Sequence, residues 1–298
     1  MKLQITHLTR YTYQEPVMDS INEVRLTPRS DDHQECSEHR ILVKPEVPLF
    51  SYTDYFGNTV HHFTIPSPHQ ELTIESRSIV DTVETFKDMV HPIPYETETD
   101  ILASDTFQNQ YAEYLMETDF TRITPELRIF CAEKIHTYKV KSIYHLLEQI
   151  SNLLYSNLTY DTGATHVHTT VEETLRLKRG VCQDYAHLMI AICRLYNIPT
   201  RYVSGYQFIG DIHDDQTEEV QHASHAWIEA YVPIVGWIGF DPTNNGKINW
   251  RYVKIGHGRN YRDIVPVKGV YQGLGEQQLE VSVDVKVLMD DSKNKKII

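Results

Sequence analysis

Residues 182–197 hold the most periodic apolar pattern in the chain. Tyr185, Ala186, Leu188, Met189, Ile192, Cys193 and Tyr196 recur at steps of three and four, the spacing of a helix face. Gly180 precedes the run and Pro199 follows it, so the spacing predicts a helix from Cys182 to Asn197. Strand-like segments come next, at 201–206, 226–232 and 236–240. The last two are joined by a short turn at 233–236, which makes them antiparallel neighbours. The expected fold class is therefore α+β.

The rest of the chain divides in two. The first ninety or so residues read as β structure. Leu3, Ile5, Tyr11 and Tyr13 fall at odd positions, Ile41 and Val43 alternate, and Leu72, Ile74, Ser76 and Ser78 interleave with Thr73, Glu75 and Arg77. Gly57-Asn58 marks a hairpin turn. Pro92 and Pro94 mark a boundary, which predicts a β-rich unit over 1–94 and a second unit over 95–298. From about residue 104 the pattern is helical. Ser104 or Asp105 caps a helix through Phe107, Tyr111 and Leu115. Thr124-Pro125-Glu126 starts another, Ile143 to Leu154 forms a third, and Thr170 caps a short one that Gly180 ends. At the far end Leu279, Val281, Val283, Val285 and Val287 alternate strictly with polar residues, the mark of a half-buried strand returning to a sheet.

Charge and cysteine usage narrow the function. The 298 residues carry 28 Lys+Arg against 41 Asp+Glu, a formal net charge of -13. That balance argues against nucleic acid, which needs clustered basic residues, and against an anionic membrane surface. The opening residues carry no apolar leader pattern, and four cysteines are too few for a disulfide framework. The expectation is a cytoplasmic protein with reduced thiols. The oligomeric state is not encoded in any pattern.

Each cysteine can then be asked for chemistry. Cys182 opens the clearest helix, where the dipole and unpaired N–H groups favour a thiolate. Cys193 lies eleven residues on, ~16 Å along the axis, too far for a disulfide. Cys193 and Cys131 sit in apolar settings and read as core; Cys36 has no partner chemistry nearby. A thiolate nucleophile needs a histidine, and the histidine needs an orienting group. There are 16 histidines, so context must choose. His225 opens one predicted strand and Asp241 closes its antiparallel neighbour, which makes them cross-strand partners.

The segments Arg179-Gly180-Val181-Cys182-Gln183-Asp184-Tyr185-Ala186-His187-Leu188, Ser224-His225-Ala226-Trp227 and Gly239-Phe240-Asp241-Pro242-Thr243-Asn244 resemble the bacterial transglutaminase-like family, within the papain-like cysteine enzymes. Arg25-Leu26-Thr27-Pro28 and Asp54-Tyr55-Phe56-Gly57-Asn58 resemble the β-rich domain that often precedes it. The resemblance covers most of the chain. It implies an α+β, papain-like catalytic domain behind an N-terminal β domain, and a Cys182–His225–Asp241 triad acting on an amide carbonyl through a thioester. No cofactor and no metal are implied. The partner is a protein, peptide or other amide substrate. Hydrolysis, as a protease or amidase, ranks slightly ahead of transfer to an amine. The backbone N–H of Cys182 is the first oxyanion donor. Tyr160 is a candidate for the second, and Trp227 for lining the site.

Plainer readings stand beside these. Asp241 before Pro242 also fits a simple turn, Trp227 and Trp237 fit packing, and Gln183 and Asp184 fit helix capping. His166 and His168 lack the third spaced ligand a zinc site requires. The acidic stretch over 211–219 reads as a solvated loop, a lid over the site or an ion-binding loop. A protein that binds peptides in the same groove without catalysis is the alternative from another class.

Overall fold

The computed structural model describes residues 1–83, 93–210 and 224–288. The first part of the chain forms five strands: β1 (Lys2–Val24), β2 (Gln34–Lys44), β3 (Phe50–Thr53), β4 (Thr59–Ile65) and β5 (His69–Thr82). Helices follow: α1 (Tyr95–Ala103), α2 (Asp105–Gln110), α3 (Ala112–Leu115), α4 (Pro125–Lys134) and α5 (Ile143–Asn157). Then come β6 (Thr159–Tyr160), α6 (Val171–Leu177), β7 (Arg179–Gly180) and α7 (Cys182–Leu195). The chain ends in strands: β8 (Thr200–Gln207), β9 (Ser224–Val232), β10 (Gly236–Asp241), β11 (Gly246–Lys247), β12 (Tyr252–Gly258), β13 (Val267–Gln272) and β14 (Gln277–Leu288). The fold is α+β. The acidic stretch over 211–219 and the residues after 288 lie outside the described residues, as does part of the expected boundary at 91–94.

The period-2 pattern of β1 puts Leu3, Ile5, Tyr13 and Val17 on its buried face. His7 and Thr9 share that face although they are polar. His7 satisfies both ring nitrogens, with the Tyr206 hydroxyl at 2.8 Å and the Thr9 hydroxyl at 3.0 Å. β1 is long enough to serve several ladders. Its first half pairs with β5 on one side and β14 on the other; its second half pairs with β4 and β13. The Val-rich strand does return to a sheet, and that sheet is the N-terminal one. Leu3 lies between Val80 and Val287.

The helical stretch differs from expectation at three points: α1 precedes the expected start near 104, α6 ends at Leu177 with Lys178 left-handed rather than at Gly180, and the run from Ser104 is broken. The run from Ser104 does not continue to Leu115 as one helix. Tyr111 adopts φ −113 and ψ 18, and the chain restarts as α3. The caps at Thr124 and Thr170 are in place, the second as a full capping box with Glu173.

The second sheet runs in the order β11-β10-β9-β8-β12, all antiparallel. α7 packs on it. Every residue from Gln183 to Arg194 is buried, so this helix is held by packing on all sides. Its apolar residues share a core with Ala226, Ile228 and Ala230 of β9 and Phe240 of β10. Each buried Leu or Ile there contributes roughly 1.5–3 kcal/mol. Arg194 fixes the far end of α7 by donating to Tyr114 O, Thr121 Oγ1, Thr200 O and Arg259 O. A second core joins the two parts of the chain: Leu3, Ile5, Leu72 and Ile74 pack with Tyr206, Val253 and Ile255. No helix among the described residues is long and apolar enough to cross a membrane.

Candidate active site

Cys182 is the first residue of α7, half-buried, with its N–H among those that have no intrahelical acceptor. Asp184 holds the turn that presents it. One carboxylate oxygen, Oδ2, accepts from the Val181 N–H at 2.8 Å and from the Thr165 hydroxyl at 2.7 Å. Gly180 leaves room for that carboxylate, because a Cβ there would stand 2.6 Å from Asp184 Oδ2. The glycine is needed for close approach, not for a left-handed turn. Gln183 donates to Val167 O at 3.0 Å, so both residues read as capping groups serve the loop around the helix start.

His225 and Asp241 meet as their strands predict. β9 and β10 pair antiparallel with Phe240 opposite Ile228, which sets Asp241 diagonal to His225. His225 Nε2 donates to Asp241 Oδ2 at 2.7 Å. Asp241 is fully buried and the His225 side chain is 11% exposed. Burial alone would strip the imidazole of its proton. The hydrogen bond to Asp241, the Cys182 sulfur and the charge of both outweigh burial and push His225 up to about 10. With Nε2 taken by Asp241, Nδ1 is the ring nitrogen left for the sulfur.

Asp241 has more partners than the sequence reading gave it. Oδ2 also accepts from Asn244 Nδ2 at 2.7 Å and the Tyr252 hydroxyl at 2.9 Å. Oδ1 accepts the backbone N–H groups of Thr243 and Asn244. Burial would raise its pKa; His225, Asn244 and Tyr252 hold it below the ordinary value. The turn expected at Asp241-Pro242 is present, with Oδ1 closing it, and it brings Asn244, a residue of the same segment with no expected role, back onto Oδ2. Tyr252 and Gln207, whose Nε2 donates to the Tyr252 hydroxyl at 2.8 Å, carried no local signal.

Tyr160 pairs with Gly180 across the short parallel ladder of β6 and β7, two residues before Cys182. It is 53% exposed. Burial of the rest, then Cys182 and Asp241, raise its pKa, which places the phenol within electrostatic reach of both. Trp227 is 1% exposed, so it forms a wall behind His225 at 6.2 Å between rings and offers no open face. It lies over Gly205, where a Cβ would come 2.4 Å from the indole. A pocket is lined by Gln34, Trp227, Glu229, Tyr252 and Lys254. Beside it Lys254 Nζ meets both Glu229 oxygens at 2.8 and 2.7 Å, and Arg201 joins Glu229 at 2.5 Å. Burial pushes Cys131 and Cys193 up to about 12 each, and also raises Cys36. Among the described residues no three His, Cys, Asp or Glu side chains group as metal ligands.

A buried helix headed by a cysteine, set against an antiparallel sheet that carries a hydrogen-bonded His–Asp pair, defines the class: a transglutaminase-like α+β core. Family comparison agrees. Residues 3–81 match the bacterial transglutaminase-like N-terminal region, and residues 132–242 match the transglutaminase-like superfamily. The chain belongs to that superfamily. It is 34% identical over 288 residues to an uncharacterized protein of Mycobacterium leprae, covering 95% of this chain and 98% of that one. Over 84 residues it is 36% identical to a protein-glutamine gamma-glutamyltransferase of Pseudomonas aeruginosa, covering 28% of this chain and 12% of the relative. Among solved structures, "a Putative Cysteine Protease from Cytophaga hutchinsonii" superposes with a TM-score of 0.75 at 22% identity, over 98% of this chain and 92% of that one. That likeness concerns the fold.

Proposed function

We propose that the chain is a thiol-dependent amide enzyme with Cys182 as nucleophile, His225 as acid and base, and Asp241 as the group that orients the histidine. The observation that carries this reading is the buried 2.7 Å His225–Asp241 bond facing a cysteine at a helix start. The Cys182 thiolate attacks the carbonyl carbon of a peptide or carboxamide. The negative oxygen is met by the Cys182 N–H, with Tyr160 as the second donor. His225, an imidazolium at neutral pH, gives its proton to the amide nitrogen as the C–N bond breaks. A thioester remains on Cys182. His225 then takes a proton from the incoming water or amine as it attacks, the C–S bond breaks, and the thiolate is restored.

Water is the default acceptor because it is always in excess, so hydrolysis comes first. The short match to a protein-glutamine gamma-glutamyltransferase supports the transfer arm. The test is a peptide library incubated with the enzyme, with and without a primary amine, read by mass spectrometry. Cleaved peptides or a 1 Da rise means hydrolysis; loss of 17 Da with gain of the amine means transfer. The Cys182→Ala variant must lose both. If it keeps either, the reading fails.

A further inference from the structure

We propose that Tyr252 and Gln207 are positioning residues for the His225–Asp241 pair, and that the N-terminal region places them by gripping the free edge of β12. The inference rests on the triad reading above.

Three polar side chains, Tyr252, Gln207 and Asn244, form a closed set with Asp241. Tyr252 donates to Asp241 Oδ2, Gln207 donates to Tyr252, and Asn244 Nδ2 bonds Asp241 Oδ2 at 2.7 Å and Gln207 Oε1 at 3.4 Å. The Tyr252 ring lies 6.1 Å from the His225 ring and meets Trp227 edge-on at 5.4 Å. Asp241 thus has one orientation in which its donors are satisfied.

Tyr252 is the first residue of β12, the outer strand of its sheet. The inner side of β12 pairs with β8, with Tyr252 opposite Gln207. The outer side is held by two side-chain amides from the first part of the chain and by the Arg29 N–H, which donates to Lys254 O at 3.1 Å. Gln34 donates to Lys254 O at 2.8 Å and accepts from Lys254 N–H at 2.7 Å. Asn58 donates to His257 O at 2.9 Å and accepts from His257 N–H at 3.0 Å. Each amide reproduces the two-point pattern of a neighbouring antiparallel strand. Both are fixed in turn: Gln34 donates to Arg29 O at 2.6 Å, and Asn58 is bonded by Asp54 and Arg29. A shift of the N-terminal region therefore moves β12, and Tyr252 with it.

The titratable groups that face the His225–Asp241 pair are Cys182 from α7, Tyr160 from β6 and Tyr252 from β12. Tyr252→Phe removes one donor from the carboxylate. Its charge is then shared less, and His225 holds its proton more tightly. The experiment compares the full chain with Tyr252→Phe, Gln34→Met and the double variant. It reads proton loss from His225 by 15N NMR, and kcat and KM on a peptide amide. Tyr252→Phe should lower kcat about tenfold, leave KM in place and move the His225 midpoint up by about one pH unit. Gln34→Met should do the same to a smaller extent, and add nothing in the Tyr252→Phe background. If Gln34→Met does not fold, Gln34→Glu, which keeps the acceptor for the Lys254 N–H, takes its place. A Tyr252→Phe enzyme with unchanged kcat and midpoint overturns the proposal. So does full additivity of the Gln34 and Tyr252 effects. Activity that survives Cys182→Ala sinks the triad reading instead, so the two failures are distinct.

Discussion

Asp241→Asn is the substitution with the best-defined consequence. Asp241 is fully buried and receives donors from His225, Asn244 and Tyr252 at Oδ2 and from two backbone N–H groups at Oδ1. An asparagine must turn its NH2 toward one of these sets, which leaves donors facing a donor. That costs roughly 1–3 kcal/mol of stability. The larger effect is on His225. Its rise from 6.5 to about 10 is worth roughly 5 kcal/mol in favour of the imidazolium, won against burial by Asp241 and Cys182 together. Asp241 carries the first hydrogen bond and a full charge, so Asn should lower the His225 midpoint by at least about two pH units. Amide turnover at pH 7 should fall on the order of a hundredfold or more, since the imidazole loses both its orientation and its stabilising charge. The assay is 15N NMR of histidine-labelled protein titrated from pH 5 to 11, in wild type and variant. A variant midpoint within half a unit of wild type would refute the argument that Asp241 sets the charge of His225.

Three further outcomes follow from other parts of the molecule. Gly180→Val forces a Cβ against Asp184, frees the Val181 N–H, and should cost about 1 kcal/mol in urea unfolding while slowing iodoacetamide labelling of Cys182. Lys254→Met leaves buried Glu229 with Arg201 as its remaining direct ion-pair partner, and should lower unfolding free energy by about 3 kcal/mol, the low end for breaking a buried pair. His7 is held neutral by burial, its pKa pushed down to about 4, so the unfolded chain binds a proton there first as pH falls below 6.5. Stability is full above pH 6.5 and declines toward pH 4. His7→Asn should remove roughly 2 kcal/mol of the loss between pH 6.5 and 5, as measured by urea titration at the two pH values.

The sequence made the site legible where its geometry is local. Cys182 at the head of a periodic run, and His225 and Asp241 on strands joined by a tight turn, are fixed by spacing within a few residues. The helix start at Thr124-Pro125 and the capping box at Thr170 are local in the same sense. What escaped depends on distant pairing. Tyr252 reaches Asp241 from the outer strand of the sheet, and no periodicity marks a residue for that. The alternation of Val281 to Val287 announces a strand without naming β1 as its partner. His7 and Thr9 break the apolar count of β1 because Tyr206, some two hundred residues away, satisfies the imidazole. Nothing local marks Lys254 and Glu229 as a buried pair; β12 and β9 bring them together. Tyr111 ended a helix early through its backbone, which the apolar steps from Phe107 to Leu115 do not reveal.

The central claim is that Cys182 carries the acyl group. The direct measurement is acid quench of the enzyme in turnover with a peptide amide, followed by mass spectrometry of its digest. A thioester-sized adduct on the peptide that contains Cys182, absent in Cys182→Ala, is the result this account predicts. Continued turnover by Cys182→Ala, or an adduct on Cys36, Cys131 or Cys193, would contradict it.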